Sequence, residues 1–264
     1  MTHWMVSHVS GWLILLGLIV VVAGGAVLIQ FVVRRRYPGL KDGAHNDVLK
    51  FTYGVIGFVY AFFIGFVVSA MWSHINDADA KVRAEGAAGV HLARDCSVFD
   101  EADGTRIRQS LLDYERAALA EWSVAAEGKS QPEADRALAR VYQAYEAVQP
   151  RTDAQKTLLS TSFSNLNNVS QARTERVLEA GTDTGPPWSL WVVILLTSGL
   201  VLGCAIVYGV ESPGIHYPMV AVVGVLVATN LFLVVELASP FIGEVATSPA
   251  PLSEVITVLS TPQG

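Results

Sequence analysis

The chain has 264 residues, 52% of them hydrophobic, a mean hydropathy of +0.40 and a formal net charge of −6. Its apolar residues gather in four nearly uncharged blocks, near 12–33, 51–72, 188–210 and 217–235. This excludes an ordinary soluble domain, whose helices rarely stay apolar on every face for so long, and the acidic balance speaks against nucleic acid, which is held by Lys and Arg on phosphates.

At about 1.5 Å per residue, each block is long enough to cross a hydrocarbon core of ~30 Å. Residues 1–10 carry no Lys or Arg, so the positive region of a cleavable signal is missing and 11–33 is expected to remain as the first membrane helix. Within it, Gly24-Gly25 reads as a packing notch or a kink. Gln30 is placed to reach the interface. Pro38-Gly39 stops the helix, and Tyr37 fits an interfacial anchor. Arg34, Arg35 and Arg36 make 34–50 net +3 with Lys41 and Lys50 against Asp42 and Asp47. Short basic loops stay in the cytoplasm, so these arginines act as a cytoplasmic anchor and the rule puts 73–187 outside.

The second block runs from Phe51 to Trp72 and continues without a Pro to Asp95, which predicts one long helix, half in lipid and half in water. Gly57, Ala61, Gly65, Ser69 and Ser73 recur every fourth position and share one face. Such a strip lets another backbone come close, where no hydrophobic drive acts between membrane helices. It serves either as a helix-packing contact in a homo-oligomer or as a pore lining with Ser69 toward water; the two are compatible. Further on, His74, Asp77, Lys81 and Glu85 follow one face. Two ligands are too few for a structural metal site, so this face is expected to be solvated, with a Lys81–Glu85 pair worth about 0.2–0.5 kcal/mol.

Residues 73–187 are net −5 and read as helices throughout, with no strand alternation. One helix, starting near Thr105 and ending at Gly128, presents Ile107, Leu111, Tyr114, Ala118, Trp122 and Ala125. Another begins at Pro132 and presents Leu138, Val141, Tyr142, Tyr145 and Val148. A third runs from about Thr152 to Ala180 with Leu159, Phe163, Leu166, Val169 and Val177 inward. With the end of the second membrane helix these predict an antiparallel bundle. Cys96 and Cys204 are expected to be far apart, small apolar fillers rather than a disulfide.

The third block opens on Trp188 and Trp191 at an interface and holds Gly199 and Gly203; the fourth, entered by a short turn at 211–217, holds Gly224 and Ala228 at the same spacing. Asn230 reads as an interhelical hydrogen bonder. Glu236 is an intramembrane carboxylate, hence a functional candidate, or lies at the interface beside water. In the tail, Val255, Ile256 and Leu259 predict a short amphipathic turn on the membrane surface. The chain is thus expected to be an all-α, multi-pass protein of the cell membrane. Its parts are a membrane hairpin (1–72), a water-exposed helical-bundle domain (73–187), a second membrane hairpin (188–241) and a tail (242–264). No nucleophile–base grouping, phosphate loop, CxxC or HExxH is present, so no enzyme, cofactor or metal is expected.

Pro240-Phe241-x-Gly243 followed by Ser248-Pro249-x-Pro251-Leu252 resembles the C-terminal signature of the bestrophin-like family of bacterial membrane proteins. Three other stretches agree: Tyr60, Phe66 and Trp72 in the second membrane helix, Val82-x-x-Glu85 after it, and Tyr114 with Glu121-Trp122. Where the family often carries a charged residue before the Pro-Phe pair, this chain has Ala238 and Ser239. The resemblance implies a relation to bestrophins, pentameric anion channels with four membrane helices and a large cytosolic helical domain. That orientation is opposite to the loop-charge reading. It implies an oligomeric channel for a small anion; the alternative is a non-conducting scaffold or sensor whose helical domain binds a protein partner.

Overall fold

The structure, a computed structural model, describes residues 9–38, 46–125, 131–181, 185–210 and 212–261. Residues 1–8, Gly39, Lys41 and Asp42 of the basic loop, Gly128 and Glu211 lie outside them. Among the described residues every regular element is helical. The helices are α1 (Gly11–Arg36), α2 (Asn46–Asp95), α3 (Glu101–Ala125), α4 (Pro132–Glu146), α5 (Asp153–Ala180), α6 (Trp188–Val207), α7 (Pro213–Glu236) and α8 (Ala250–Ser260), with a 3-10 turn at Cys96–Val98. The chain divides into two compact units, Met1–His74 with Thr184–Val245, and Ile75–Asp183 with Ala246–Gly264. The expected long helix is present: α2 is unbroken, as a run without Pro allows.

In the first unit, α1, the apolar half of α2, α6 and α7 are each long and apolar enough to span a bilayer. Helices α1 and α7 run antiparallel, with Gly11 beside Glu236 and Arg34 beside His216. They cross at Ala23 and Gly224. A Cβ on Gly224 would lie 2.6 Å from the Ala23 Cα, so only glycine permits this approach. Ala228, one turn further, is also fully buried. The notch expected at Gly24-Gly25 is not filled: among the described residues nothing lies within 4 Å of a Cβ built on either, or on Gly199 or Gly203. The neighbouring faces pack instead, Ala26 of α1 with Ala205 and Ile206 of α6 and Val220 of α7. Helix α7 starts at Pro213, so His216 and Tyr217 lie within the helix rather than in the expected turn. Pro suits a first helical turn, where its missing N–H costs nothing.

In the second unit, α3, α4, α5, α8 and the latter part of α2 enclose one core. Leu92, Phe99, Ile107, Leu111, Tyr114, Val141, Tyr145, Leu166 and Val169 are among its members. Most are the inward positions read from the three- and four-residue spacing. Helix α3 begins at Glu101, a turn earlier than expected, because Gly104 tolerates the Cys96 carbonyl 2.5 Å from where a Cβ would stand. The Thr152 hydroxyl accepts from the Gln155 N–H while the Gln155 side chain accepts from the Arg151 N–H, a reciprocal cap that starts α5.

Helix α8 does not turn its apolar side outward, as a helix lying on a membrane surface would. Its apolar side, Leu252, Val255 and Leu259, is buried, with Val255 and Leu259 in the core of this unit. Full burial of such side chains is worth roughly 1.5–3 kcal/mol each. An amphipathic helix takes whichever apolar surface is within reach, and here glycines offer one. Pro251 sits on Gly86 and Val255 on Gly89, both of α2.

Candidate functional site

The membrane half of α2 has two unlike faces. Tyr60, Ile64, Val67 and Met71, spaced three and four apart, are buried within the unit. Roughly opposite, Ala61, Gly65, Ser69 and Ser73 are exposed, and Phe58, Phe62 and Phe66 between them remain 69–73% exposed. Gly57 stands at the edge of this open face, half-buried. No atom among the described residues lies within 4 Å of a Cβ on Gly57 or Gly65. The small-residue strip is therefore not where α2 packs within its own chain.

The polar residues expected within the membrane fall elsewhere. Asn230 of α7 donates to the Tyr60 hydroxyl at 3.5 Å, a long bond between α7 and α2. Glu236 is buried at the end of α7. Its Oε1 would lie 3.1 Å from a Cβ on Gly11, with the Glu244 carboxylate beside the same point, and its Oε2 has no hydrogen-bond partner among the described residues. Gln30, expected at the interface, is instead fully buried between helices, and neither amide atom finds a partner there among the described residues.

Arg34 is interior too. Its Nη1 donates to the Val210 carbonyl at 2.9 Å and to His216 Nδ1 at 2.8 Å. Arginine only donates, so His216 Nδ1 accepts and its Nε2–H is left to donate to the Ala205 carbonyl at 3.2 Å. The Tyr217 ring stands 5.9 Å from the same guanidinium. Arg34 thus closes the α6–α7 turn. Arg35, stacked 4.2 Å over Phe31, and Arg36 are exposed at the end of the helix.

A second polar centre lies inside the helical unit. Arg176 is 2% exposed and donates twice to Glu85, Nε to Oε2 at 3.0 Å and Nη2 to Oε1 at 3.2 Å. Trp122 faces it at 5.2 Å, and the Tyr114 hydroxyl reaches Glu85 at 3.5 Å. One turn away, Arg173 donates twice to Glu121 at 2.8 and 2.9 Å and once to Asp135 at 2.7 Å. Burial alone would lower the basicity of Arg173, but these bonds raise it. The expected Lys81–Glu85 pair does not form; Lys81 turns to Glu179 at 3.1 Å because Glu85 points into the core. Spacing carried a signal for this centre. Arg173 and Arg176 continue the stripe Leu166, Val169, and Glu85 continues Ala78, Val82.

The family model of the bestrophin-like domain matches residues 19–252. The chain belongs to the bestrophin-like family. Among solved structures, a point variant of a bacterial bestrophin homologue from Klebsiella pneumoniae is 17% identical over 95% of this chain and 99% of its own, with a TM-score of 0.65. A second structure of that homologue, phased on zinc, is 18% identical over 94% and 96%, with a TM-score of 0.63. At such identities the likeness shows the fold. No curated protein matches.

In this bestrophin-like membrane protein, several of the residues that carried the resemblance have structural reasons. Glu85, Tyr114, Glu121 and Trp122 all meet at Arg173 and Arg176. Gly243 holds φ at +108°, a region that favours glycine. Ser248 accepts from the Ala250 N–H through its hydroxyl at the start of α8, and Pro251 fills the Gly86 notch. Among the described residues no three His, Cys, Asp or Glu side chains are grouped to hold a metal ion.

Proposed function

We propose that this bestrophin-like protein is a channel for small anions, built as a ring of identical subunits that cover and enclose the open face of α2. The observation that carries the reading is the contrast on that helix. One side is buried against its own chain, while the other offers small residues, two serine hydroxyls and three phenylalanines to something outside it. Lipid tails gain little from a smooth strip, whereas a second helix gains close packing. From Gly57 to Ser73 the open face carries no carboxylate to repel an anion, the first being Asp77 one turn further on; Glu236 is the one acid within α6 and α7, and it is buried. Ser69 and Ser73 can donate O–H groups to a passing anion.

The test is purified protein in liposomes, with chloride flux and native mass spectrometry read together. A closed ring with flux supports the proposal. A monomer or dimer that passes no ion under any condition removes it, in favour of a scaffold whose helical unit binds a protein partner.

A further inference from the structure

The core of the helical unit contains three carboxyl groups and two guanidinium groups that are nearly inaccessible: Glu85, Glu115 and Glu121 against Arg173 and Arg176. Each guanidinium is committed twice to a partner, Arg176 to Glu85 and Arg173 to Glu121. Glu115, 1% exposed, is the carboxyl left over, and its Oε2 has no hydrogen-bond partner among the described residues. Arg176 Nη1 is also without a hydrogen-bond partner among the described residues, so it makes no bond to Glu115; a buried carboxylate that no cation pairs directly is far costlier ionised than neutral.

Its position matters more than its burial. Glu115 Oε1 stands 3.0 Å from where a Cβ of Gly89 would be, and both Val255 methyls stand 2.9 and 3.2 Å from the same point. The carboxyl and the apolar side of α8 therefore share one glycine notch on α2. At one end of α8, Pro251 rests on Gly86. At the other, Arg108 donates to the carbonyls of Leu259 at 2.7 Å and Thr261 at 2.6 Å, a favourable place for a cation.

We propose that Glu115 is a proton-binding site that controls the docking of α8: with the carboxyl protonated the helix lies closed over Gly86 and Gly89, and loss of the proton lifts it. The groups facing Glu115 act in known senses. From α2, Glu85 opposes ionisation; from α5, Arg176 favours it; Tyr114 is its neighbour on α3. Helix α8 brings Val255 to the contact, and its own carboxylate, Glu254, is exposed. Burial first, and then Glu85, hold the Glu115 carboxyl well above the ordinary range. The docked state therefore binds the proton more tightly than the lifted one. Docking is strongest in acid and weakens as pH rises from the ordinary carboxyl range toward the raised one.

The experiment is hydrogen exchange of the α8 amides in the full-length protein, from pH 5 to 8 and corrected for intrinsic rates. The open fraction is expected to rise by up to about tenfold per pH unit for a single proton. In Glu115→Gln, and in the volume-matched Glu115→Met, that slope disappears and α8 stays protected at pH 8. An infrared band of a protonated carboxyl at pH 7, lost in Glu115→Gln, is expected alongside. A flat profile in the native protein, or an unchanged slope in either variant, overturns the proposal, and the native profile decides alone if neither variant folds. Neither result depends on whether the protein conducts.

Discussion

Replacing Glu85 by Met leaves the Arg176 guanidinium 2% exposed with no full partner; Glu121 Oε2, at 3.9 Å, is too far for a hydrogen bond. Removing one member of a buried pair costs roughly 3–5 kcal/mol, because the other charge stays desolvated and uncompensated. Arg176→Met strands Glu85 beside the Tyr114 hydroxyl and also loses the Trp122 contact, so it belongs in the same range. At about 4 °C per kcal/mol for a unit of this size, each single variant lowers the transition of the helical unit by roughly 12–20 °C. The double variant Glu85→Met/Arg176→Met removes both charges and fills the space with apolar atoms, which is often neutral or stabilising. It is expected to melt well above either single variant, a coupling of several kcal/mol in a double-mutant cycle. Thermal unfolding in detergent, followed by circular dichroism, reads all four proteins. Singles within about 0.5 kcal/mol of native, or a double variant as weak as the singles combined, would refute the reasoning; the first is the scatter of ordinary surface substitutions.

Ala61→Leu with Gly65→Leu adds bulk where the subunit itself places nothing nearby. The subunit should fold as before while native mass spectrometry shows the proposed ring lost; an intact ring contradicts the proposed role of α2. Gly224→Ala forces a methyl against the Ala23 backbone and should cost about 1–3 kcal/mol or more by overpacking, seen as a lowered melting point. Gly199→Ala meets open space within the chain and should leave the fold of the subunit unchanged in the same assay. Asn230→Ala should cost only about 0.6 kcal/mol, the usual worth of an interhelical bond in a membrane, and a much larger loss would give Asn230 a second partner.

Several local features of this chain can be read from its residues alone. Four apolar spans, an unbroken α2 and inward faces such as Ile107, Leu111 and Tyr114 follow from run length, absence of Pro and helical spacing. Those properties belong to each segment by itself. The small residues were legible as places where a helix could come close, and only the α1–α7 crossing decided that Gly224 meets Ala23 while Gly199 and Gly203 meet nothing among the described residues.

The polar groups show where local spacing stops being informative. Lys81 and Glu85 have the spacing of an ion pair, yet Glu85 turns inward to an arginine 91 residues away. Arg34 counted as a loop charge, but closes on His216 across α1 and α7. An apolar side on α8 was written in Val255 and Leu259, whereas the surface it covers was not. By itself the sequence determined which segments are helices, which are apolar enough for lipid, and on which side of each helix its apolar residues stand. Tertiary structure decided what each side meets, because a side chain's partner depends on the rotation and depth of a second helix far away in the chain, and no local spacing encodes them.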